Sequence, residues 1–385
     1  MEPIPFGKPL IGDAERAAIS QVLDGTTLTH GPRVREFEAA FADFTGAPHA
    51  VATATCAASL HLAYMFLEIG PGDEVIVPAQ THVAMAQAVT ACGGTPVFCD
   101  AEPETGAVDL EQLETLIGPA TKAISVVHYL GLPVAMERVM ELAREHDLFV
   151  VEDCAIALGA RIDGTHVGLI GDIGCFSFYP VKHICTGEGG MVISRREDVA
   201  DRVSKQRAFG IDKGVITDRR HTGEYDVQHF GLNYRLGEIG AAMGVEQLKR
   251  LPGFLERRES NFERLAAGLG GVEGLRVLDS SHKDEGGRQS SHYCLVALLD
   301  EPLVKRRKEL IEALKGEGVG TSVYYPKPLP EMSFYAGRQC DGRQFPVAGR
   351  ISYESIAFPV APHVDEAGVD RIIEVTTNVI GGMLE

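Results

Sequence analysis

Apolar residues recur at helical spacing in two early stretches, Asp13–Leu23 and Arg33–Phe44, and Gly25, Gly31-Pro32 and Gly46 interrupt the pattern. The spacing predicts a helical lead-in. Next, Ala50-Val-Ala-Thr-Ala-Thr-Cys runs into Ala57-Ala-Ser-Leu-His-Leu-Ala-Tyr-Met-Phe-Leu. A short strand there feeds a helix through small residues, a junction that exposes helix N-terminal N–H groups. Strand-like and helix-like runs then alternate: Glu74–Val77, Ala84–Ala91, Pro96–Cys99, Leu110–Ile117, Ala123–Tyr129, Met136–His146 and Leu148–Glu152. Such alternation predicts a parallel, doubly wound α/β sheet.

Two more β-rich runs, Asp172–Phe178 and Gly190–Ser194, flank a loop with Lys182 and the Gly187-Glu-Gly-Gly turn, and a helix follows near Asp198–Gln206. Helical spacing over Leu248–Leu269 contains Pro252-Gly253, which predicts that one helix ends there and another leads out of the first domain. The expected organisation is a large domain over 1–250, with the helical lead-in, and a small α+β domain over 251–385. In the latter, Leu275–Leu278, His292–Leu299, Leu303–Gly316 and Gly320–Tyr325 read as strand, strand, helix and strand, before a loop and a final helix, Val364–Val379.

Composition narrows the function classes. At 385 residues the chain fits one large and one smaller domain, and 45% hydrophobic with 23% charged residues is ordinary for a globular protein. A formal net charge of −18 argues against a duplex nucleic-acid surface but not against an anionic ligand in one local pocket. No uninterrupted apolar run reaches about 18 residues, and the start, Met1-Glu-Pro-Ile-Pro, lacks the basic and apolar regions of an export signal. The expectation is a cytoplasmic protein with no membrane partner. Eight cysteines, at 56, 92, 99, 154, 175, 185, 294 and 340, form no C-x-x-C pair and read as reduced, structural thiols. The phosphate-loop, dinucleotide, zinc-protease and nucleophile-elbow signatures are all missing, so those readings lose their main support.

Candidate chemistry centres on Lys182, which follows a β-run among apolar and small residues. Desolvation there disfavours the ammonium form and suits an amine that forms a Schiff base, although a lysine taken alone also reads as a surface residue. Asp153 ends the buried run Leu148-Phe-Val-Val-Glu, where α/β sheets bind ligands, and matches a partner for a pyridinium nitrogen; capping a helix or holding a loop is the alternative. N–H groups at Ala57 and Ala58, with the Ser177 hydroxyl, can hold a phosphate without net charge. His82, after a strand, can lay its ring on a flat aromatic cofactor, or be a satisfied structural histidine.

Together these stretches resemble the DegT/DnrJ/EryC1/StrS sugar-aminotransferase family of pyridoxal-5′-phosphate (PLP) enzymes. The resemblance spans nearly the whole chain. It rests on Gly31-Pro-Arg-Val-Arg-Glu-Phe-Glu, Pro71-Gly-Asp-Glu-Val-Ile-Val-Pro, Glu152-Asp-Cys-Ala-Ile-Ala-Leu-Gly-Ala, Gly171-Asp-Ile-Gly-Cys-Phe-Ser-Phe-Tyr-Pro-Val-Lys, Gly187-Glu-Gly-Gly and Gly231-Leu-Asn-Tyr-Arg-Leu. It implies the fold type I architecture of aspartate aminotransferase, with a mostly parallel seven-stranded sheet between helices and a small C-terminal domain. It also implies Lys182 as Schiff-base lysine and proton shuttle, Asp153 at the pyridinium nitrogen, His82 stacked on the ring, and Ala57, Ala58 and Ser177 at the phosphate. Asn233 resembles the residue that the family extends from a neighbouring subunit, which implies a homodimer with shared sites. The implied reaction moves nitrogen from glutamate or glutamine to a keto or aldehyde sugar, nucleotide-linked, in amino-sugar biosynthesis.

Three departures stand out. Ile156 replaces a polar side chain near the cofactor's phenolic oxygen, Ala57 replaces a common threonine, and Tyr324-Tyr-Pro-Lys-Pro-Leu-Pro lacks both histidines of the family's loop beside the sugar. Two other readings are a sugar dehydratase of the same family, in which histidine replaces the lysine, and a PLP-binding regulatory protein without turnover. Acceptor contacts are expected in variable loops such as 209–225.

Overall fold

The computed structural model describes residues 2–211, 225–281, 287–337 and 343–385. Two helices, α1 (Asp13–Leu23) and α2 (Pro32–Thr45), open the chain, close to the predicted spans. Next come β1 (His49–Thr53), α3 (Cys56–Phe66), β2 (Glu74–Pro78), α4 (Ala84–Ala91), β3 (Thr95–Cys99), α5 (Leu110–Thr115), β4 (Thr121–Val127), α6 (Met136–Glu145) and β5 (Phe149–Asp153). A hairpin of β6 (Arg161–Ile162) and β7 (Thr165–His166) precedes β8 (Ile173–Ser177), β9 (Gly190–Ser194) and α7 (Glu197–Gln206).

The main sheet has seven strands in the order β1-β9-β8-β5-β4-β2-β3. Pairs β2–β3, β2–β4, β4–β5 and β5–β8 are parallel, whereas β9 runs antiparallel to both β8 and β1. The central strands are buried along nearly their whole length, β5 reading half-buried only at Phe149, because helices cover both faces of a parallel sheet. The hairpin turns at Asp163 and Gly164, both with positive φ of 47° and 76°. An Asp-Gly pair supplies that geometry and is the signal that could have foretold these two strands.

After α8 (Glu238–Leu269) come β10 (Leu275–Val277), β11 (Arg288–Gln289), β12 (Leu295–Leu299), α9 (Arg307–Gly316), α10 (Pro346–Glu354), β13 (Ser355–Phe358) and α11 (Glu366–Leu384). Contrary to the sequence expectation, Pro252-Gly253 does not break the chain into two helices: α8 is continuous through Pro252, so residue 250 lies inside a helix. Its buried residues on both sides of the proline, from Ala241 to Leu251 and from Phe262 to Leu269, anchor it against two apolar clusters that outweigh the lost hydrogen bond. The second correction concerns the small sheet, whose order is β10-β12-β13. Gly320–Tyr325 contributes only a bridge from Ser322 to Ala357, and the third strand is the four-residue Ser355–Phe358. A run that short, pressed between α10 and Pro359, carries no legible period. None of the described helices is long and apolar enough to cross a membrane.

Two buried carboxylates fasten the frame. Glu238, at the start of α8, accepts hydrogen bonds from the N–H groups of Gly31, Arg33 and Val34 at 3.0, 2.8 and 3.3 Å, and so caps α2, whose first residue is Pro32. Glu152, next to Asp153 on β5, accepts from His128 Nε2 at 2.9 Å and from the N–H groups of Gly168, Ile170 and Gly171 at 2.7, 2.9 and 2.6 Å. His128 Nδ1 accepts from the Val134 N–H at 3.1 Å. Cys154 lies close enough for these three to resemble a metal-ligand group, but both His nitrogens and both carboxylate oxygens are already engaged. Burial alone would raise the Glu152 pKa; the His128 and backbone hydrogen bonds outweigh it and hold the carboxyl below its usual value. Its contribution to stability is therefore present above the unfolded-state pKa and lost as the pH falls through the lower folded value. Glu152→Gln, which turns an acceptor into a donor facing backbone N–H groups, is expected to cost about 3 kcal/mol in denaturant unfolding, with the deficit shrinking in acid.

Candidate active site

The site lies at the carboxyl edge of the sheet, where a parallel α/β sheet places its ligands. Asp153 is the last residue of β5 and pairs with Cys175 on β8, so Ser177 ends β8 two residues farther along and Lys182 follows in the next loop. Gly190 pairs with Ser177 on one side and Thr53 on the other. This row brings Ser177 beside the start of α3. A Cβ on Gly190 would lie 2.5 Å from the Thr55 carbonyl carbon, so only glycine lets the helix start approach β9 this closely. The loop holds its shape through backbone bonds from Lys182 to Tyr179 and from Thr186 to Phe178, both 2.9 Å.

Asp153 is buried, and its Oδ1 accepts the Ala155 N–H at 2.9 Å. Burial raises its pKa, opposed by that N–H and by the charges of Lys182 and His82. Lys182 is half-buried, with Nζ 5.3 Å from the centroid of the Tyr293 ring. Desolvation lowers its pKa while Asp153 works in the other direction. A carboxylate and an amine thus lie near enough at the sheet edge for the charge of each to moderate the other's desolvation.

The other predicted residues fall as follows. Thr55 caps α3 by accepting the Ala58 N–H at 3.0 Å, so that N–H is already engaged. Ala57 is exposed, and among the described residues its N–H and that of Cys56 donate to nothing. Ser177 is half-buried, and its Oγ accepts the Tyr179 N–H at 3.4 Å. His82 lies at the rim after β2, its Nδ1 accepting the Ala84 N–H at 3.2 Å and its ring edge-on to Tyr325 at 5.9 Å. Desolvation and the Lys182 charge lower its pKa against the pull of Asp153. Asn233 is exposed, and its backbone bridges Ala208. Within one chain, no hydrogen bond among the described residues joins its side chain to this group. Ile156 is buried in the apolar core. Residues 212–224 of the expected acceptor loop lie outside the described residues.

Sequence reasoning missed a set of tyrosines. The Tyr293 and Tyr324 hydroxyls lie 2.8 Å apart, and the Tyr324 carbonyl accepts from Gln80 Nε2 at 2.7 Å and from the Tyr129 hydroxyl. Gln80 Oε1 in turn accepts the Ser352 hydroxyl at 2.9 Å. Asp153 is among the charges that, after burial, raise the Tyr325 pKa, which places this phenol at the same site. Only the missing loop histidines signalled this region in the sequence. His183, the alternative to Lys182 if the register shifted by one, is buried, and its Nε2 donates to the Ser291 carbonyl at 3.1 Å.

A buried carboxylate whose Oδ2 accepts no hydrogen bond from the described residues, an opposed amine, free helix-start N–H groups and a nearby hydroxyl fit a pyridine ring, an aldehyde and a phosphate in that order. Fold and site define a PLP-dependent aminotransferase of fold type I. The model of the DegT/DnrJ/EryC1/StrS aminotransferase family matches residues 9–377, and the chain belongs to that family. It is 36% identical over 381 residues to GDP-perosamine synthase of Caulobacter vibrioides, covering 98% of each chain. Against the spore coat polysaccharide biosynthesis protein SpsC of Bacillus subtilis it is 34% identical over 384 residues, covering 98% of this chain and 97% of the relative. The crystal structure of the aminotransferase TlmJ from Streptoalloteichus hindustanus superposes with a TM-score of 0.90 at 32% identity, covering 99% of this chain and all of the other. The protein is a sugar aminotransferase of amino-sugar biosynthesis that takes a keto-sugar and an amino donor.

Proposed function

We propose that the enzyme takes its amino group from glutamate or glutamine and delivers it to the keto or aldehyde carbon of a nucleotide-linked sugar. The observation that carries this reading is the opposition of Lys182 and Asp153 at the sheet edge, beside Ser177 and the start of α3. The nucleotide in the name of the Caulobacter relative supports a nucleotide-linked acceptor.

When bound, PLP supplies an electron sink that makes the Cα–H of an attached amino acid acidic. Asp153 would hold a proton on the pyridine nitrogen, and the sheet edge keeps that carboxylate out of bulk water. Lys182 would carry the proton to and from the substrate carbon, a task suited to an amine whose pKa is lowered by burial. The N–H groups of Cys56 and Ala57 with the Ser177 hydroxyl would hold the phosphate, and His82 would pack against the ring. The test is the absorption spectrum of the PLP-loaded protein with each donor, followed by a panel of keto-sugar nucleotides. A cofactor band that bleaches with one donor and returns with one acceptor supports the reading; a band that never responds favours a regulatory protein without turnover.

The site is proposed to be completed in a homodimer by Asn233 of the neighbouring subunit. Exposed Phe209, Tyr225 and Phe230, in segments flanking Asn233, support an apolar contact there. Mixing Lys182→Ala and Asn233→Ala variants, each of low activity, is expected to restore activity toward about a quarter of the unsubstituted level, because random exchange gives half the dimers one intact site of two. No recovery after verified subunit exchange would exclude shared sites.

A further inference from the structure

Beside Lys182 lies a polar pocket that the aminotransferase reading leaves unexplained. His183 and Arg258 are each almost completely buried. Because His183 Nε2 donates to the Ser291 carbonyl at 3.1 Å, its proton is on Nε2 and Nδ1 carries a lone pair. That Nδ1 has no partner. Arg258 Nη1 donates to the carbonyls of Tyr293 at 2.8 Å and His292 at 3.3 Å, but its Nε–H has no partner either. One orphan is an acceptor and the other a donor. Both residues line a cavity, together with Lys182, Val181, Gln247 and Phe254, that offers about 20 Å³ for the centre of a water molecule. About 10–15 Å³ is enough for one water, and leaving two buried polar atoms unsatisfied costs about 1–3 kcal/mol each.

The same residues surround the ring against which the lysine rests. The Tyr293 centroid lies 5.3 Å from Lys182 Nζ, 5.9 Å from the Arg258 guanidinium carbon and 5.8 Å from the His183 ring centroid. The Arg258 guanidinium helps to fix the plane of that ring, since it is attracted to the π face.

We infer that this cavity holds one structural water, accepting from Arg258 Nε–H and donating to His183 Nδ1, and that the bridge makes His183 a positioning residue for Lys182. The inference rests on Lys182 as the amine that bonds the cofactor. His183 and Lys182 are consecutive, so locking the His183 ring locks the backbone from which the lysine side chain departs. Misplacing a reacting group by an ångström costs up to about a hundredfold in rate.

The test combines a crystal structure of the PLP-loaded protein with donor half-reaction kinetics of His183→Gln, in which the amide keeps a donor for Ser291 but loses the Nδ1 acceptor. Arg258→Lys, which removes the Nε–H and keeps the charge, probes the other end. Expected are water density between His183 and Arg258, and in either variant an approximately tenfold slower half-reaction at saturating donor, with unchanged half-saturation and with Lys182 still trapped by borohydride. No water density, or both folded variants reacting at the unsubstituted rate, overturns the inference. If borohydride leaves Lys182 unlabelled in the unsubstituted protein, the assignment of Lys182 falls and the positioning role with it; if Lys182 is labelled and the variants are fast, only the present inference fails.

Discussion

Lys182→Ala is expected to abolish covalent attachment of the cofactor and to lower transamination at least about a thousandfold, the scale on which removal of a covalent group acts. The fold should survive, because the loop is held by backbone hydrogen bonds between Lys182 and Tyr179 and between Thr186 and Phe178, which do not use the side chain. Removing a half-buried amine also relieves a desolvation cost. Borohydride reduction followed by peptide mass analysis locates the link, and circular dichroism checks the fold. A variant that is still labelled at another lysine, or still turns over at a tenth of the normal rate, would remove Lys182 from the reaction.

Asp153→Asn should reduce turnover about a hundred- to a thousandfold with cofactor still bound, equivalent to about 3–4 kcal/mol of transition-state stabilisation. The amide can still accept the Ala155 N–H, so geometry is kept while the charge that holds the ring nitrogen's proton is lost. A second effect has the opposite sign. Burial raises the Asp153 pKa, so without cofactor the charged carboxylate opposes folding above the unfolded-state pKa, and that penalty disappears in acid as the group protonates. The cofactor-free Asn variant should therefore melt higher than the unsubstituted protein at neutral pH and no higher in acid. Thermal melts of both cofactor-free proteins across that range check the sign; a lower melting temperature at neutral pH would contradict it.

Much of this was legible from periodicity. The runs from β1 to β5, with β8 and β9, are apolar and separated by glycine or polar turns, so their strand and helix spans fell close to the observed ends, whereas the two-residue strands β6 and β7 were not read. Asp153 could be singled out because it ends a buried strand, and Lys182 because it sits among apolar and small residues in the loop after β8; a charged group in either place needs a reason. Pro252 misled because local propensity predicts a break, whereas the packing of α8 on both sides of it is a tertiary fact. Ser355–Phe358 was hidden by its length. The tyrosine hydroxyls at 293 and 324 meet only through folding, 31 residues apart, and no pattern along the chain announces such a pair.

The carboxylate of Glu238 that caps α2 lies 207 residues downstream of Gly31. A ribosome adding about 5–20 residues per second needs on the order of 10–40 s to cover that distance. During that interval the first helices must exist with their opening N–H groups in water, and the nascent chain closes this long loop only when α8 emerges. The order of synthesis therefore opposes early docking of the lead-in, and replacing Glu238 should slow refolding from denaturant more than its loss of a single cap would imply.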